Sequence, residues 1–186
     1  MVGRKLQLGG ASTIGQTGPP SVFAELPRLL ERAGPGVAVG GAPAGQITAL
    51  FTVLVEGGDH DEPVADAVRG ILDGHIVLDR AIAERGRFPA INILRTVSRA
   101  MPACNSEDEQ SLVVRARKPL TIYEDMAELI RLGAYKAGTN PEVDGAVKLY
   151  PQLEAFLAQK KDEQATLSEG YAALTDILGS AEGRAG

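Results

Sequence analysis

Two glycines near the start of the chain have the spacing of a phosphate-binding loop. Four residues separate Gly40 from Gly45, as in the pattern GxxxxGK[ST]. Phosphate chemistry at such a loop needs a lysine for the terminal phosphates and a hydroxyl for magnesium, but Gln46 and Ile47 stand at those positions. A β-branched apolar run then takes the place of the helix that such a loop opens. We therefore interpret this segment as a connecting loop, and residues 47–55 as a buried strand.

Other candidates for chemistry are weak. The loop EGGDHDEP at 56–63 combines acidic residues with one histidine. It could be read as a metal site, but one histidine with scattered acids is a weak signal, and a solvated acidic loop fits it better. His75 lies alone between two elements and gets no catalytic role. Cys104 has no histidine near it in the sequence, so we expect an unreactive thiol.

The segment 62–104 alternates short helices with short strands. A helix with proline in its first turn is expected to end at Gly74, and a shorter helix to end at Gly86. Helix, strand, helix and strand with short links predict α/β construction, in which functional sites lie at strand ends. The last strand would then deliver Ser98 and Arg99 to such an end. The predicted elements are a helix from Pro63, a strand over Ile76–Leu78, a helix over Arg80–Arg85 and a strand over Ala90–Leu94.

Helical patterns flank this segment on both sides. Ser106 and Glu109 have the spacing of a capping box. Proline is expected to break or kink a helix in its interior and is tolerated in the first turn. The sequence therefore predicts a small domain of four or five helices after residue 105. The predicted elements are a helix over Ser21–Ala33, a helix interrupted at Pro119, helices that begin at Pro141 and Pro151, and a last helix over Ser168–Leu178.

Composition excludes several classes of protein. The net charge of −5 at pH 7 argues against a nucleic-acid surface, which needs clustered lysine and arginine. The single cysteine cannot form an internal disulfide and fits a reducing cytosol. No stretch approaches the ~20 apolar residues of a membrane span, and we expect no signal peptide because no apolar run follows Arg4 and Lys5. Tryptophan is absent, so aliphatic residues must fill the core.

Long segments of the chain resemble a known family. Four segments of the sequence are similar to the rotary-type hexameric ATPases. They are PPSVFAELPRLLERAG at 19–34, ITALFTVLVEG at 47–57, all of 62–102 and LIRLGAYKAGTNPEVDGAVKLYPQLEAFL at 129–157. Within that family these segments are most similar to the flagellum-specific ATP synthases, the ATPases of flagellar type III export. The segments are long, in order and cover most of the chain, which makes them more specific than a short motif.

The resemblance implies a fold. It indicates an α/β chain that forms the C-terminal half of a RecA-like P-loop ATPase domain, followed by a small all-α helical domain. Residues 1–18 match the family poorly and are expected to be a flexible leader. The implied boundaries are 19–104 for the nucleotide-binding part, 105–180 for the helical domain and 181–186 for a tail.

The resemblance also implies roles for single residues. The run TVSR that ends at Arg99 resembles the segment that carries the arginine finger, which acts in trans on the nucleotide of a neighbouring subunit. An exposed or ion-paired arginine is the simpler alternative, and Arg95 is a nearby competitor. Phe88 occupies the position where an aromatic ring stacks on adenine, unless it packs as an ordinary turn residue. Tyr135 or Lys136 would line the other side of that pocket.

The acidic loop gains a third interpretation from the resemblance. In rotary ATPases the matching loop faces the central channel and contacts the central stalk. Asp59, Asp61 and Glu62 stand at the contacting positions. Gly58 replaces an acid that is common in the flagellar proteins, which would weaken the contact.

These residues predict a function in two parts. The parent, meaning the full-length protein of which this chain would be the C-terminal part, would be a cytoplasmic homohexamer that hydrolyses ATP with Mg²⁺ and drives export of flagellar subunits. Its partners would be a coiled-coil stalk protein and a membrane export gate. Because the phosphate loop, its lysine and its magnesium ligands are missing, we expect this chain to begin after the catalytic motifs and to be inactive alone. No metal is expected to be held by the chain itself. A non-catalytic interaction module and the matching part of an injectisome ATPase are the alternatives.

Overall fold

The protein is described by a computed structural model that covers residues 20–38, 40–41, 44–55 and 63–182. It forms two compact units, Met1–Leu72 and Asp73–Gly186. The first holds α1 (Pro20–Leu30), β1 (Gly34–Pro35), β2 (Gln46–Ile47) and α2 (Pro63–Ile71). The second holds β3 (Gly74–His75), α3 (Arg80–Glu84), β4 (Val97–Ser98), α4 (Glu107–Arg131), α5 (Pro141–Leu157) and α6 (Leu167–Glu182).

Two amphipathic helices form the core of the first unit. Helices α1 and α2 pack against each other, with Leu30, Ala65 and Val68 buried. Helix α1 begins one residue before the predicted start and continues through Pro27. The helical periodicity of the two segments therefore predicted their structure correctly.

The buried strand predicted for residues 47–55 is wrong. Only Gln46 and Ile47 form a strand, which pairs with β1 in antiparallel register. Leu50 and Leu54 are 92% and 88% exposed. A buried strand needs hydrogen-bonding neighbours as well as apolar side chains. Within the described part of this unit, β2 pairs only with β1, which is two residues long, so the pairing does not extend along 48–55.

A short antiparallel pair organises the start of the second unit. Strand β3 pairs with β4 through Gly74↔Ser98 and His75↔Val97, and an isolated bridge joins Leu78 to Ile91. The two segments were predicted as strands at neighbouring positions, 76–78 and 90–94, so their placement was wrong by a few residues. Backbone pairing decides strand ends, and apolar residues such as Ile76 extend beyond the pair with 64% exposure.

Three long helices complete the second unit, rather than the four or five predicted. Helix α4 continues through Pro119 and α5 through Pro151. A break at Pro119, one of the two expected outcomes beside a kink, is therefore wrong, and so is the predicted helix start at Pro151. Each proline removes one backbone hydrogen bond, but Pro119 is buried between packed helices. Packing of an apolar face supplies most helix stability in a folded protein, and here it outweighs the local cost.

Two of the predicted helix starts in this unit, those of α4 and α5, are confirmed in detail. The Ser106 side chain accepts from the Glu109 backbone N–H, and the Glu109 carboxylate accepts in return from the Ser106 N–H at 2.7 Å. Asn140 caps α5, whose first residue is Pro141. These short polar side chains satisfy N–H groups that would otherwise lack a partner inside the helix.

The helices enclose one apolar cluster, with Leu153 of α5 at its centre and only 1% exposed. Leu94, which lies just before β4, packs on the same cluster, and its carbonyl oxygen accepts a hydrogen bond from Arg117 of α4. The segment 73–104 is thereby fixed to the helices. No helix in the described ranges is both long enough and apolar enough to cross a membrane. The cluster contains Ala116, Leu120, Leu153, Leu174 and Leu178.

Candidate functional site

Phe88 lies on an exposed turn between α3 and the bridge at Ile91. We call residues 86–90 the Phe88 turn. Gly86 opens it at φ +84°, a backbone conformation that favours glycine. Phe88 is 58% exposed, and its backbone carbonyl oxygen accepts the N–H of Gln159 at 2.8 Å. The ring therefore has an open face, while the backbone below it is held by the chain that follows α5.

A buried asparagine fixes the segment that follows the turn. Asn92 is 7% exposed, and its side-chain oxygen accepts the N–H groups of Leu94 and Arg95, both at 3.1 Å. Its amide donates to Asp79, whose other carboxylate oxygen caps α3. The hydrogen bond from Asn92 is the main cause that lowers the pKa of Asp79. This network was not predicted, because a single Asn between apolar residues carries no signal of burial in the sequence.

Arg99 follows directly after β4. Its backbone N–H donates to the carbonyl oxygen of Asp73 at 2.7 Å, which extends the β3–β4 pairing by one residue. The residue is exposed at the surface of its unit. Arg95 is also exposed, and its carbonyl oxygen lies 3.2 Å from His75 Nε2. The structure therefore places Arg99 directly after a strand, although this strand is β4 and not the predicted strand over 90–94, and it gives His75 a backbone contact.

The close approach of β3 to β4 depends on Gly74. A Cβ atom at this position would lie 2.6 Å from the Val97 carbonyl oxygen and 3.1 Å from the Ser98 Cα. Real Cβ atoms do not approach backbone this closely, so a side chain would push the two strands apart. The position of Arg99 therefore depends on a residue 25 positions earlier in the chain.

We expect Gly74→Ala to destabilise the second unit by about 1–3 kcal/mol, the usual cost of overpacking a closely packed site. Urea unfolding of the purified chain measures this change. Gly145→Ala in α5 is the matched control: its new methyl group meets no atom within 4 Å, and alanine is the better helix former by about 0.5–1 kcal/mol. Equal stability of the two variants would contradict this account of the strand pair.

Tyr135 and Lys136 do not lie with Phe88. They lie in the loop before α5, whereas the Phe88 turn contacts the chain after α5. The 17 residues of α5 span about 25 Å at 1.5 Å per residue. The predicted pocket with Phe88 on one side and this loop on the other is therefore not formed within the chain.

Tyr135 instead stabilises its own loop. Its hydroxyl lies 3.0 Å from Asp144 Oδ1 and 3.1 Å from the Asn140 carbonyl oxygen. Partial burial, and then the hydrogen bond to Asp144, raise the pKa of Tyr135. The second oxygen of Asp144 accepts the Gly138 N–H at 2.8 Å. The carboxylate thus links the loop to the first turn of α5, and Lys136 is exposed at the loop surface.

The segment next to Phe88 is the loop after α5, which the sequence analysis treated only as a polar connection. Gln159 supplies the N–H to Phe88. The Lys160 N–H donates to the Glu163 carboxylate at 3.0 Å, and the Gln159 side chain donates to the Glu163 carbonyl oxygen. Lys160 and Lys161 are exposed. Only the run KKDEQ marked this loop in the sequence, and its composition does not reveal what it contacts.

The remaining candidates give a plain result. Asp59, Asp61 and Glu62 lie outside the described residues, so the structure says nothing about the predicted stalk contact. Cys104 is exposed, and its thiol lies 3.0 Å from the Asn105 side-chain oxygen. Within the described ranges, no group of three or more metal-ligating side chains comes together.

Comparison with known proteins gives this arrangement its context. Residues 3–98 match the nucleotide-binding domain of the ATP synthase alpha/beta family. The chain belongs to that family. Residues 105–176 match the C-terminal domain of the type III secretion ATPase EscN. The α/β segment followed by helices is therefore the order of domains expected of this family, as the sequence analysis predicted.

Relatives of this family member include flagellar and secretion ATPases. The flagellum-specific ATP synthase of Caulobacter vibrioides is 58% identical over 87% of the chain, and that of Bacillus subtilis 50% identical over 88%. The SPI-2 type 3 secretion system ATPase of Salmonella typhimurium is 47% identical over 83% of the chain. The chain spans about a third of these relatives, 36%, 36% and 34% of their lengths.

Solved structures show the same fold. The assembled ATPase EscN of enteropathogenic E. coli matches with a TM-score of 0.78 at 39% identity, over 87% of this chain and 38% of that one. A second structure of assembled EscN, in complex with its central stalk EscO, matches with a TM-score of 0.73 over 87% of this chain and 36% of that one. The predicted fold class is thereby confirmed.

Proposed function

We propose that this chain supplies the adenine-facing turn and the trans-acting arginine of a flagellar export ATPase. The complete subunit would hydrolyse ATP with Mg²⁺ as a homohexamer in the cytoplasm, next to the membrane export gate, and drive type III export of flagellar subunits. The 58% identity to the flagellum-specific ATP synthase of Caulobacter vibrioides, over 87% of the chain, carries this proposal.

The adenine side of the site rests on Phe88. An aromatic face stacks on any base and contributes roughly 1–3 kcal/mol. Phe88 is 58% exposed, and the Gln159 N–H binds its backbone carbonyl oxygen. The loop after α5 lies beside this turn, which makes it the better candidate for the opposite wall. Any nucleotide contact of Tyr135 or Lys136 would belong to a different place, at the far end of α5.

The phosphate side needs residues that this sequence does not carry. Gln46 and Ile47 stand where a phosphate loop has lysine and a hydroxyl residue. Lysine and magnesium stabilise the charge that develops on the transferring phosphoryl group, and neither Gln nor Ile can replace them. The complete subunit would supply these groups, so the chain alone is proposed to be inactive.

Arg99 is proposed to act on the nucleotide of a neighbouring subunit. Its guanidinium is planar and permanently charged, and it can bridge two phosphate oxygens. It follows directly after a strand and is exposed on the surface of its unit, which is compatible with action on a neighbouring subunit. Catalysis would then require assembly, which agrees with the assembled state of the EscN structure that this chain resembles.

The acidic loop is proposed to contact a central stalk. EscN has been solved in complex with its central stalk EscO, and Asp59, Asp61 and Glu62 match the contacting positions by resemblance. A basic coiled coil would bind such a loop with strong salt dependence. Charge reversal at the three positions should then weaken stalk binding and leave assembly unchanged.

An injectisome ATPase is the second candidate. The SPI-2 type 3 secretion system ATPase is 47% identical to this chain, the same value as the flagellum-specific ATP synthase of the same Salmonella strain. Restoring motility to a bacterium that lacks its flagellar ATPase, without restoring secretion to one that lacks its injectisome ATPase, would favour the flagellar role.

A chimeric subunit tests the proposal. The upstream part of the Caulobacter vibrioides relative is joined to this chain at the start of the matched region. We expect the chimera to assemble and release phosphate from ATP with magnesium, while the 186-residue chain alone does not. Magnesium-dependent phosphate release by the pure chain, abolished by Arg99→Ala, would contradict the proposal. So would a correctly assembled chimera without turnover.

A further inference from the structure

The Phe88 turn itself contains a buried arginine. Arg87 is 9% exposed, although it lies between the exposed residues Gly86 and Phe88. Its Nη2 donates to the Ile91 carbonyl oxygen at 3.0 Å, and its Nη1 lies 3.5 Å from the Pro89 carbonyl oxygen. The guanidinium thus contacts the backbone of Pro89 and Ile91, which follow Phe88 in the chain.

The same guanidinium reaches helix α5. Arg87 Nε lies 3.1 Å from Glu154 Oε2, and the Glu154 side chain is 25% exposed. The pair is close enough for an ion pair, but no acceptor among the described residues is aligned for a hydrogen bond with the Nε proton. We call Arg87 and its three contacts the Arg87 clasp. Arginine suits this place, because its planar fork can hold several acceptors at once.

Burial makes this ion pair different from others in the unit. Arg80 pairs with Glu84 at 2.9 Å, but both side chains are mostly exposed, at 91% and 63%. Exposed pairs contribute little, because water and salt screen them. Removing one partner of a buried pair leaves a charge without compensation. Loss of the Arg87 side chain should therefore disturb the Phe88 turn, whereas loss of the Arg80 side chain should leave the turn unchanged.

Two contacts therefore flank Phe88, one from α5 and one from the loop that follows it. The Arg87 clasp holds the turn from the side of Glu154, and the Gln159 N–H holds the Phe88 carbonyl oxygen just after the helix ends. A cavity of about 40 Å³ lies beside the clasp, lined in part by Ile82, Tyr150 and Leu157. The two polar contacts tie the backbone of the turn to α5 and to the loop that follows it.

We propose that Arg87 is a positioning residue, which ties the Phe88 turn to α5 through Glu154 and thereby sets the orientation in which Phe88 presents its ring to adenine. This inference rests on the proposed nucleotide role of Phe88. Arg87 itself contacts neither base nor phosphate. It acts through Phe88.

Two measurements on the full 186-residue chain test the clasp. The first is amide hydrogen exchange at Gln159, which reports the bond to Phe88 without any nucleotide. The second is the affinity for ADP, followed by chemical-shift changes during a titration. Arg87→Met removes the charge and keeps an apolar stem. Arg87→Lys keeps the charge and loses the planar guanidinium with its several N–H donors. Arg80→Met is the matched control, because its ion pair is exposed.

We expect Arg87→Met to speed exchange at Gln159 roughly tenfold and to weaken ADP binding by a similar factor, which corresponds to one decade in each equilibrium constant. Arg87→Lys should show a smaller change in the same direction, and Arg80→Met should stay within roughly twofold of the unmodified chain. Exchange at Leu153, deep in the helices, should remain slow in all three variants, which shows that they are folded.

A double-mutant cycle separates positioning from general stability. In a Phe88→Ala background, Arg87→Met should weaken ADP binding no further, because the ring through which it acts is gone. Additive losses would overturn the proposal, as would unchanged exchange at Gln159 in Arg87→Met. If the unmodified chain fails to bind ADP, the nucleotide role of Phe88 in this chain fails, while the exchange measurement still decides whether the clasp holds the turn.

Discussion

Arg99→Ala, placed in the chimeric subunit, is expected to lower ATP turnover by ~10³–10⁵-fold, the range in which an arginine finger acts. The arginine stabilises charge that appears on the phosphoryl group only in the transition state, so its loss should lower kcat and leave nucleotide affinity nearly unchanged. Arg99→Lys should also cut turnover severely, since a compact ammonium cannot bridge two oxygens as a guanidinium does. Steady-state phosphate release and ADP affinity measure the two quantities.

Arg95→Ala is the control for this prediction. Arg95 lies four residues earlier, is also exposed and has the same charge, but it precedes β4 instead of following it. We expect its substitution to leave turnover within roughly tenfold of the unmodified chimera. Native mass measurement should show that all variants assemble alike. Full turnover in assembled Arg99→Ala would remove the proposed role.

Leu153→Ala is expected to destabilise the second unit by about 2–5 kcal/mol. Leu153 is 1% exposed and touches the cluster to which all three long helices contribute. Truncation removes apolar contacts and leaves a cavity that the neighbouring helices can fill only in part. Urea unfolding followed by circular dichroism at 222 nm (a helix signal) measures the loss.

Val114→Ala provides the comparison for Leu153. Val114 lies in α4 and is 69% exposed, and alanine is the better helix former. This variant should unfold within about 0.5 kcal/mol of the unmodified chain, as surface substitutions usually do. A similar loss in both variants would show that Leu153 is not the centre of the packed cluster.

Helix starts were predictable from the sequence, because their signals are local. The capping box of Ser106 and Glu109 and the cap at Asn140 need only residues within one turn. Interior prolines were misread for the same reason. The local rule predicts a break at Pro119 and Pro151, but both helices continue because their faces are buried against each other. The energy that decides this comes from residues far away in sequence.

Strand positions were the least predictable part of the fold. The run over 47–55 has the composition of a buried strand, but burial depends on neighbouring strands that composition does not reveal. In the second unit, the pairing of Gly74 with Ser98 depends on a contact between segments more than twenty residues apart. Apolar runs indicated which segments take part and misplaced their ends.

The candidate site, like the fold, could be predicted from the sequence only in part. Arg99 and Phe88 were identified through resemblance, and the structure places both on the surface of one unit. Tyr135 was assigned to the same pocket as Phe88, but α5 separates them. Their arrangement follows from the path of the chain around a 17-residue helix. The residues that hold the Phe88 turn, Arg87 and Gln159, carry no motif and become visible only through their contacts.

The trans action of Arg99 is the central claim, and mixing two inactive subunits tests it most directly. One chimera carries Arg99→Ala, and the other carries a substitution of the phosphate-loop lysine in its upstream part. Each alone should be nearly inactive. When they co-assemble at random in equal amounts, roughly a quarter of the interfaces join an intact lysine to an intact arginine of the neighbour, as in any cyclic assembly. The account predicts that turnover reappears in the mixture. Mixed hexamers that stay as inactive as either parent would contradict it.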